Sequence, residues 1–88
     1  MAVEPVEIQS ADGVVVRGEL SGEGERWAVL IHDVDEDLDA MRPMRAALLE
    51  AELVVLSLDL RGHGASDGEW STEGGIQDLV AAFRHCRE

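Results

Sequence analysis

Eighty-eight residues make one small domain, 1–88, and a chain this short buries only about 60 to 65% of the surface its unfolded form exposes. Nineteen acidic residues against seven arginines and no lysine give a net charge of −12, which disfavours nucleic acid and anionic membranes as partners. No apolar run approaches the ~20 residues of a membrane span, and the opening MAVEPVEIQS lacks a basic segment followed by an apolar one, so a cytoplasmic location is expected.

Residues 3–20 read as a β-hairpin: VEPVEIQ, a reversal at Ser10-Ala11-Asp12-Gly13, then VVVRGEL, with Asp-Gly suited to the positive φ of a tight turn. Pro5 has no amide hydrogen for a ladder, so the first strand belongs at an edge. After the polar loop SGEGER comes Trp27-Ala28-Val29-Leu30-Ile31. That run is apolar on both faces, as in a parallel sheet covered on both sides, and a central position is expected for it.

Five of the seven residues from Asp33 to Asp39 are carboxylates, a composition that suits a solvated loop leading into a helix N-terminus. The helix is expected from Asp39 or Ala40 to about Ala51, with Leu38, Met41, Met44 and Leu48 on one stripe. Pro43 must lie in or near its first turn, because deeper inside it would remove a hydrogen bond and clash, at about 3 kcal/mol. A second apolar strand covers Leu53 to Leu58. Ile76, Leu79, Val80 and Phe83 recur at i, i+3, i+4 and i+7 and predict an amphipathic helix to the end of the chain. The order β-β-β-α-β-α is an α/β arrangement.

Three features invite a chemical reading. Asp33, Asp35, Asp37 and Asp39 alternate as in a calcium loop, yet that loop wants glycine at its sixth position and glutamate at its twelfth, where this segment has Leu38 and Met44. No metal or cofactor is therefore expected. Cys86 stands alone, without a partner for a disulfide or a ligand pair. Gly64-Ala65-Ser66-Asp67-Gly68 spells G-x-S-x-G, with Asp78 and His85 following in the order Ser, Asp, His. However, Ser66 lies well past the strand, and Asp78 and His85 share one helix about 10.5 Å apart at 1.5 Å per residue, against the ~3 Å of an orienting hydrogen bond. No catalytic residue is assigned.

The run LVVLSLDLRGHGASDG closes its strand on Asp59-x-Arg61-Gly62-x-Gly64-x-Ser66. Together with VEIQSADGVVVRGEL and AVLIHDVDED it resembles the opening third of an α/β-hydrolase. The resemblance implies the N-terminal portion of that sheet, a hairpin followed by β-α-β-α, left incomplete. It implies a turn at the active-site rim built from Asp59, Arg61, Gly62, His63, Gly64 and Ser66, and a backbone N–H near Val34 as one of two oxyanion donors. It also implies that nucleophile, acid and histidine come after Glu88. Two positions depart from the family: Asp33 follows His32 where glycine is usual, and Glu52 stands where glycine usually takes a left-handed conformation.

In the family's sheet order, Trp27–Ile31 lies between Leu53–Leu58 and the nucleophile strand, so its outer edge is left open, a template for pairing. The expected partner is the remainder of a hydrolase domain or a second copy along that edge. The implied function is part of a serine hydrolase acting on carboxylic esters or similar acyl compounds, inactive alone. The alternative is a non-catalytic interaction or assembly module derived from the fold.

Overall fold

The computed structural model describes residues 3–87. In chain order it forms β1 (Val3–Gln9), β2 (Val15–Ser21), β3 (Trp27–Ile31), a 3₁₀ turn (Leu38–Met41), α1 (Arg42–Glu50), β4 (Val54–Asp59) and α2 (Thr72–Cys86). The β1–β2 reversal closes through Gly13 N–H to Ser10 O at 2.9 Å, with Gly13 at φ 92°. The strands make one sheet in the order β1-β2-β4-β3. β1 pairs antiparallel with β2, β2 antiparallel with β4, and β4 parallel with β3. Pro5 accordingly sits on an edge strand.

With β2, β4 is one of the two inner strands. It is flanked on both sides, and every residue from Val54 to Asp59 is buried. Trp27–Ile31, expected in the middle on its unbroken apolar character alone, is the outer strand among the described residues, with the open edge that the resemblance to an incomplete sheet implies. Only Leu30 in it is buried, and Trp27 is exposed. The apolar pattern reports two covered faces, whereas position in a sheet depends on which backbone edges find partners. Ile8, Val16, Leu56, Leu58, Leu60 and Ala82 form the main core, so α2 gives it one fully buried side chain, with Ala81 and Cys86 packed partly buried against it.

Pro43 occupies the first turn of α1. The Asp37 carboxylate accepts the Asp39 N–H at 3.0 Å ahead of it. Leu38, Met41, Arg45, Leu48 and Leu49 are the half-buried side of the segment, while Met44, placed with Leu38, Met41 and Leu48 by its spacing, is exposed. Leu38–Met41 winds as a 3₁₀ helix ahead of α1, and the half-buried side of α1 is centred on Arg45, about 100° round the helix from Met44. Arg45 then reaches Glu19 of β2 at 2.9 Å, fixing α1 over one face of the sheet. On this side of the sheet Ser21 and Ser57 have buried hydroxyls without hydrogen-bond partners among the described residues.

The end of α1 resolves the departure at Glu52. Glu52 N–H donates to Leu49 O at 3.0 Å and Leu53 N–H to Leu48 O at 3.2 Å, the paired bonds of a Schellman cap. Its left-handed residue is Glu52 itself, at φ 65°. The connection keeps the shape that glycine would give it, with a side chain where none is favoured.

Ser71 caps α2 through its Oγ, which accepts the Gly74 N–H at 3.0 Å. The helix exists as the i, i+3, i+4, i+7 pattern predicts, but Ile76, Val80 and Phe83 are 57%, 44% and 53% exposed. Its buried side is Gly74, Gly75, Asp78 and Ala82. The rotation follows from close approach. A Cβ on Gly74 would come within 2.5 Å of the Arg61 side chain, and one on Gly75 within 2.6 Å of the Trp70 ring. Only a glycine pair lets the helix lie this near, and Asp78 one turn later then meets Arg61.

Candidate functional site

β4 ends at Asp59, and the chain then reverses through the Asp-x-Arg-Gly-x-Gly-x-Ser segment. Asp59 is buried, and its carboxylate organises the turn by accepting Leu38 N–H at 2.8 Å and Ala65 N–H at 3.0 Å. Gly64 (φ 50°) has no room for a side chain, since a Cβ there would collide with the Asp59 carboxylate. Ser66 Oγ donates to Asp59 O at 2.6 Å and accepts Arg17 N–H at 2.7 Å. The hydroxyl thus ties the turn to β2. Arg17 in turn reaches Asp67 and Glu7 at 2.8 and 2.9 Å, and those two carboxylates raise its pKa above the ordinary arginine value.

Arg61 is the hub of the second half. Its N–H and guanidinium donate to the fully buried Asp78 carboxylate at 2.9 to 3.2 Å. Two further bonds, at 2.6 and 3.0 Å, go to Asp12 in the hairpin turn. Ser10 Oγ completes the set by donating to Asp78 Oδ1 at 2.6 Å. The hairpin, the rim turn and α2 are thereby joined by one buried cation between two carboxylates. The hydrogen bond from Arg61 holds Asp12 below the usual carboxylate range, while Asp12 and Asp78 push Arg61 above its ordinary value. Asp78 is thus engaged with Arg61, and His85 lies further along the same helix.

The two rim histidines share one pattern. His32, 4% exposed, accepts Leu60 N–H at Nε2 (3.0 Å) and faces Asp33 O with Nδ1 (2.8 Å). His63 accepts Asp35 N–H at Nε2 (3.0 Å) and faces Arg61 O with Nδ1 (3.0 Å). Because each Nδ1 points at a carbonyl and each Nε2 at an amide hydrogen, the network assigns the Nδ1–H tautomer to both. The rings lie 4.9 Å apart, and the Trp70 ring meets His63 edge-on at 5.5 Å.

Val34 lies at the same rim, in a turn closed by Glu36 N–H to Asp33 O at 3.0 Å. Asp35 is left-handed there, at φ 72°. The side chains of Asp33, Asp35 and Glu36 are exposed, so their charges are solvated rather than gathered around the backbone. Among the described residues, no group of three acidic, histidine or cysteine side chains converges on a common point.

Sequence reasoning reached the rim turn but not its wiring. The Arg61–Asp78 pair spans 17 positions. Its one local signal was an aspartate spaced four residues from Gly74 and Ala82 on the small-residue side of α2.

No protein-family profile matches the sequence, and none of the curated proteins is significantly similar to it. Solved structures are similar. The Pyrococcus furiosus esterase Pf2001 superposes with a TM-score of 0.91 at 29% identity, over 98% of this chain and 36% of its own. The α/β-hydrolase GrgF from Penicillium sp. sh18 gives 0.82 at 29% identity, over 100% and 33%. Epoxide hydrolase A from Mycobacterium thermoresistibile gives 0.82 at 25% identity, over 98% and 28%. The chain spans about a third of the length of these relatives. Hairpin, parallel pair, glycine-punctuated rim turn and these likenesses together make it a partial α/β-hydrolase fold.

Proposed function

We propose that the chain is the opening part of a serine hydrolase of the α/β-hydrolase fold, acting on carboxylic esters or related acyl compounds and not turning over substrate by itself. The observation that carries this reading is the rim. Asp59, Arg61, Gly64 and Ser66 are spent on holding a turn, with Ser66 Oγ between Asp59 O and Arg17 N–H, and the neighbouring turn, closed by Glu36 N–H on Asp33 O, carries the Val34 backbone N–H that the resemblance implies as an oxyanion donor. That division of labour suits a part that shapes a site whose nucleophile is supplied by a further strand.

The open edge of β3 and the outward Ile76, Val80 and Phe83 favour a partner surface in either of two settings: the remaining sheet of such a hydrolase, or a non-catalytic assembly module that pairs with itself. Reading the coding region after Glu88 separates them. An apolar strand running into G-x-S-x-G is the expected result. Ester turnover by the purified 88-residue chain, abolished by Ser66→Ala, would overturn the proposal.

A further inference from the structure

Resting on the reading of Val34 as a donor, we propose that His63 is the positioning residue of the 33–36 turn, selecting by one hydrogen bond the peptide orientation in which that turn stands. The turn has Val34 and Asp35 at its centre, and Glu36 N–H closes it on Asp33 O at 3.0 Å. A positive φ of 72° at Asp35 and none at Val34 is the pattern of a type II turn. Types I and II differ by a half-rotation of the central peptide, here the unit carrying Val34 C=O and Asp35 N–H. Type I suits most residues. Type II asks for glycine or asparagine at the third position, and aspartate bears a cost there.

His63 offsets that cost from across the rim. Its Nε2 accepts the Asp35 N–H at 3.0 Å over a sequence separation of 28. A rotated peptide would turn the Val34 carbonyl toward the same side and lose this bond. The ring cannot swing to accommodate it, because Nδ1 is held on Arg61 O at 3.0 Å and Trp70 and His32 lie against it at 5.5 and 4.9 Å. Arg61 is itself immobilised by Asp78 and Asp12. The buried ion pair therefore reaches the donor turn through one imidazole.

The direct test needs no variant. In uniformly ¹⁵N-labelled chain, a through-hydrogen-bond N–N coupling between Asp35 N and His63 Nε2 is expected, and its absence with both signals assigned would overturn the proposal. Two substitutions test the selection. His63→Asn can replace Nδ1 but does not reach Asp35, whereas His63→Gln places an amide oxygen near the Nε2 position. The Asp35 amide should exchange with water about tenfold faster in the asparagine variant, the consequence of losing one backbone hydrogen bond, and return to within about threefold of the parent in the glutamine variant. The Leu56 and Leu58 amides serve as controls for global opening. Equal Asp35 exchange in parent and His63→Asn, or equal acceleration in both variants, would refute the role. Neither measurement depends on hydrolysis, so the result stands apart from the fate of the hydrolase reading.

Discussion

Replacing Glu52 by glycine should stabilise the protein by about 1 kcal/mol. Glu52 holds the left-handed position of the α1 cap at φ 65°, a conformation that costs an L-residue with a Cβ roughly 1–2 kcal/mol. Glycine removes that strain but loses more freedom on folding, which takes back about 0.4–1 kcal/mol. The Glu52 side chain is exposed, and the two cap bonds, to Leu49 O and Leu48 O, are made by backbone that the substitution keeps. A net gain of about 1 kcal/mol corresponds to roughly 4 to 8 °C in Tm for a domain of this size. Thermal and urea unfolding followed by circular dichroism measure it. Ala47→Gly, at an exposed position inside α1, is the control and should lose about 1 kcal/mol. If Glu52→Gly melts at or below the parent temperature while Ala47→Gly falls as expected, the strain account of this cap is wrong.

Asp78→Asn leaves the buried Arg61 guanidinium without its fully buried counter-charge, and breaking such a pair costs about 3–5 kcal/mol, enough to abolish the cooperative urea transition of so small a domain. Acid should also weaken the fold. The Asp12 carboxyl is held by Arg61 below its unfolded value, so its contribution is complete above the unfolded pKa of about 4 and is lost as pH falls through the lower folded value. The urea midpoint should therefore drop below about pH 4, and less steeply in Asp12→Asn. Ser57→Ala removes a buried hydroxyl with no partner among the described residues and should raise stability by about 1 kcal/mol in the same assay. Phe83→Gln, on the outward side of α2, should change the urea midpoint by no more than about 0.5 kcal/mol equivalent; a large loss would mean that this face is packed within the protein.

Much of the architecture was legible because it rests on local rules. The Asp12-Gly13 reversal, Pro5 on an edge, Pro43 in the first turn of a helix and a strand ending in the Asp59 turn each follow from what one residue's backbone allows. The facing of the helices was not legible, because hydrophobic periodicity assumes that only apolar side chains turn inward and that the core wants large ones. At α1 the first assumption failed, since Arg45, paired with Glu19 of β2, takes the half-buried place and Met44 is left exposed. At α2 the Gly74-Gly75 approach broke the second, so that Asp78 rather than Ile76 faces the sheet.

The same division runs through the candidate site. The amino-acid order alone determined that a glycine-rich turn with Asp59, Arg61 and Ser66 comes after a buried strand, since glycine spacing and strand character are properties of neighbouring residues. Tertiary structure alone decided what those side chains hold: Ser66 to β2, Arg61 to Asp78 and Asp12, and His63 to Asp35 across 28 positions. Hydrogen bonds and ion pairs act over about 3 Å, and distances that short between remote residues exist only once the sheet has brought them together.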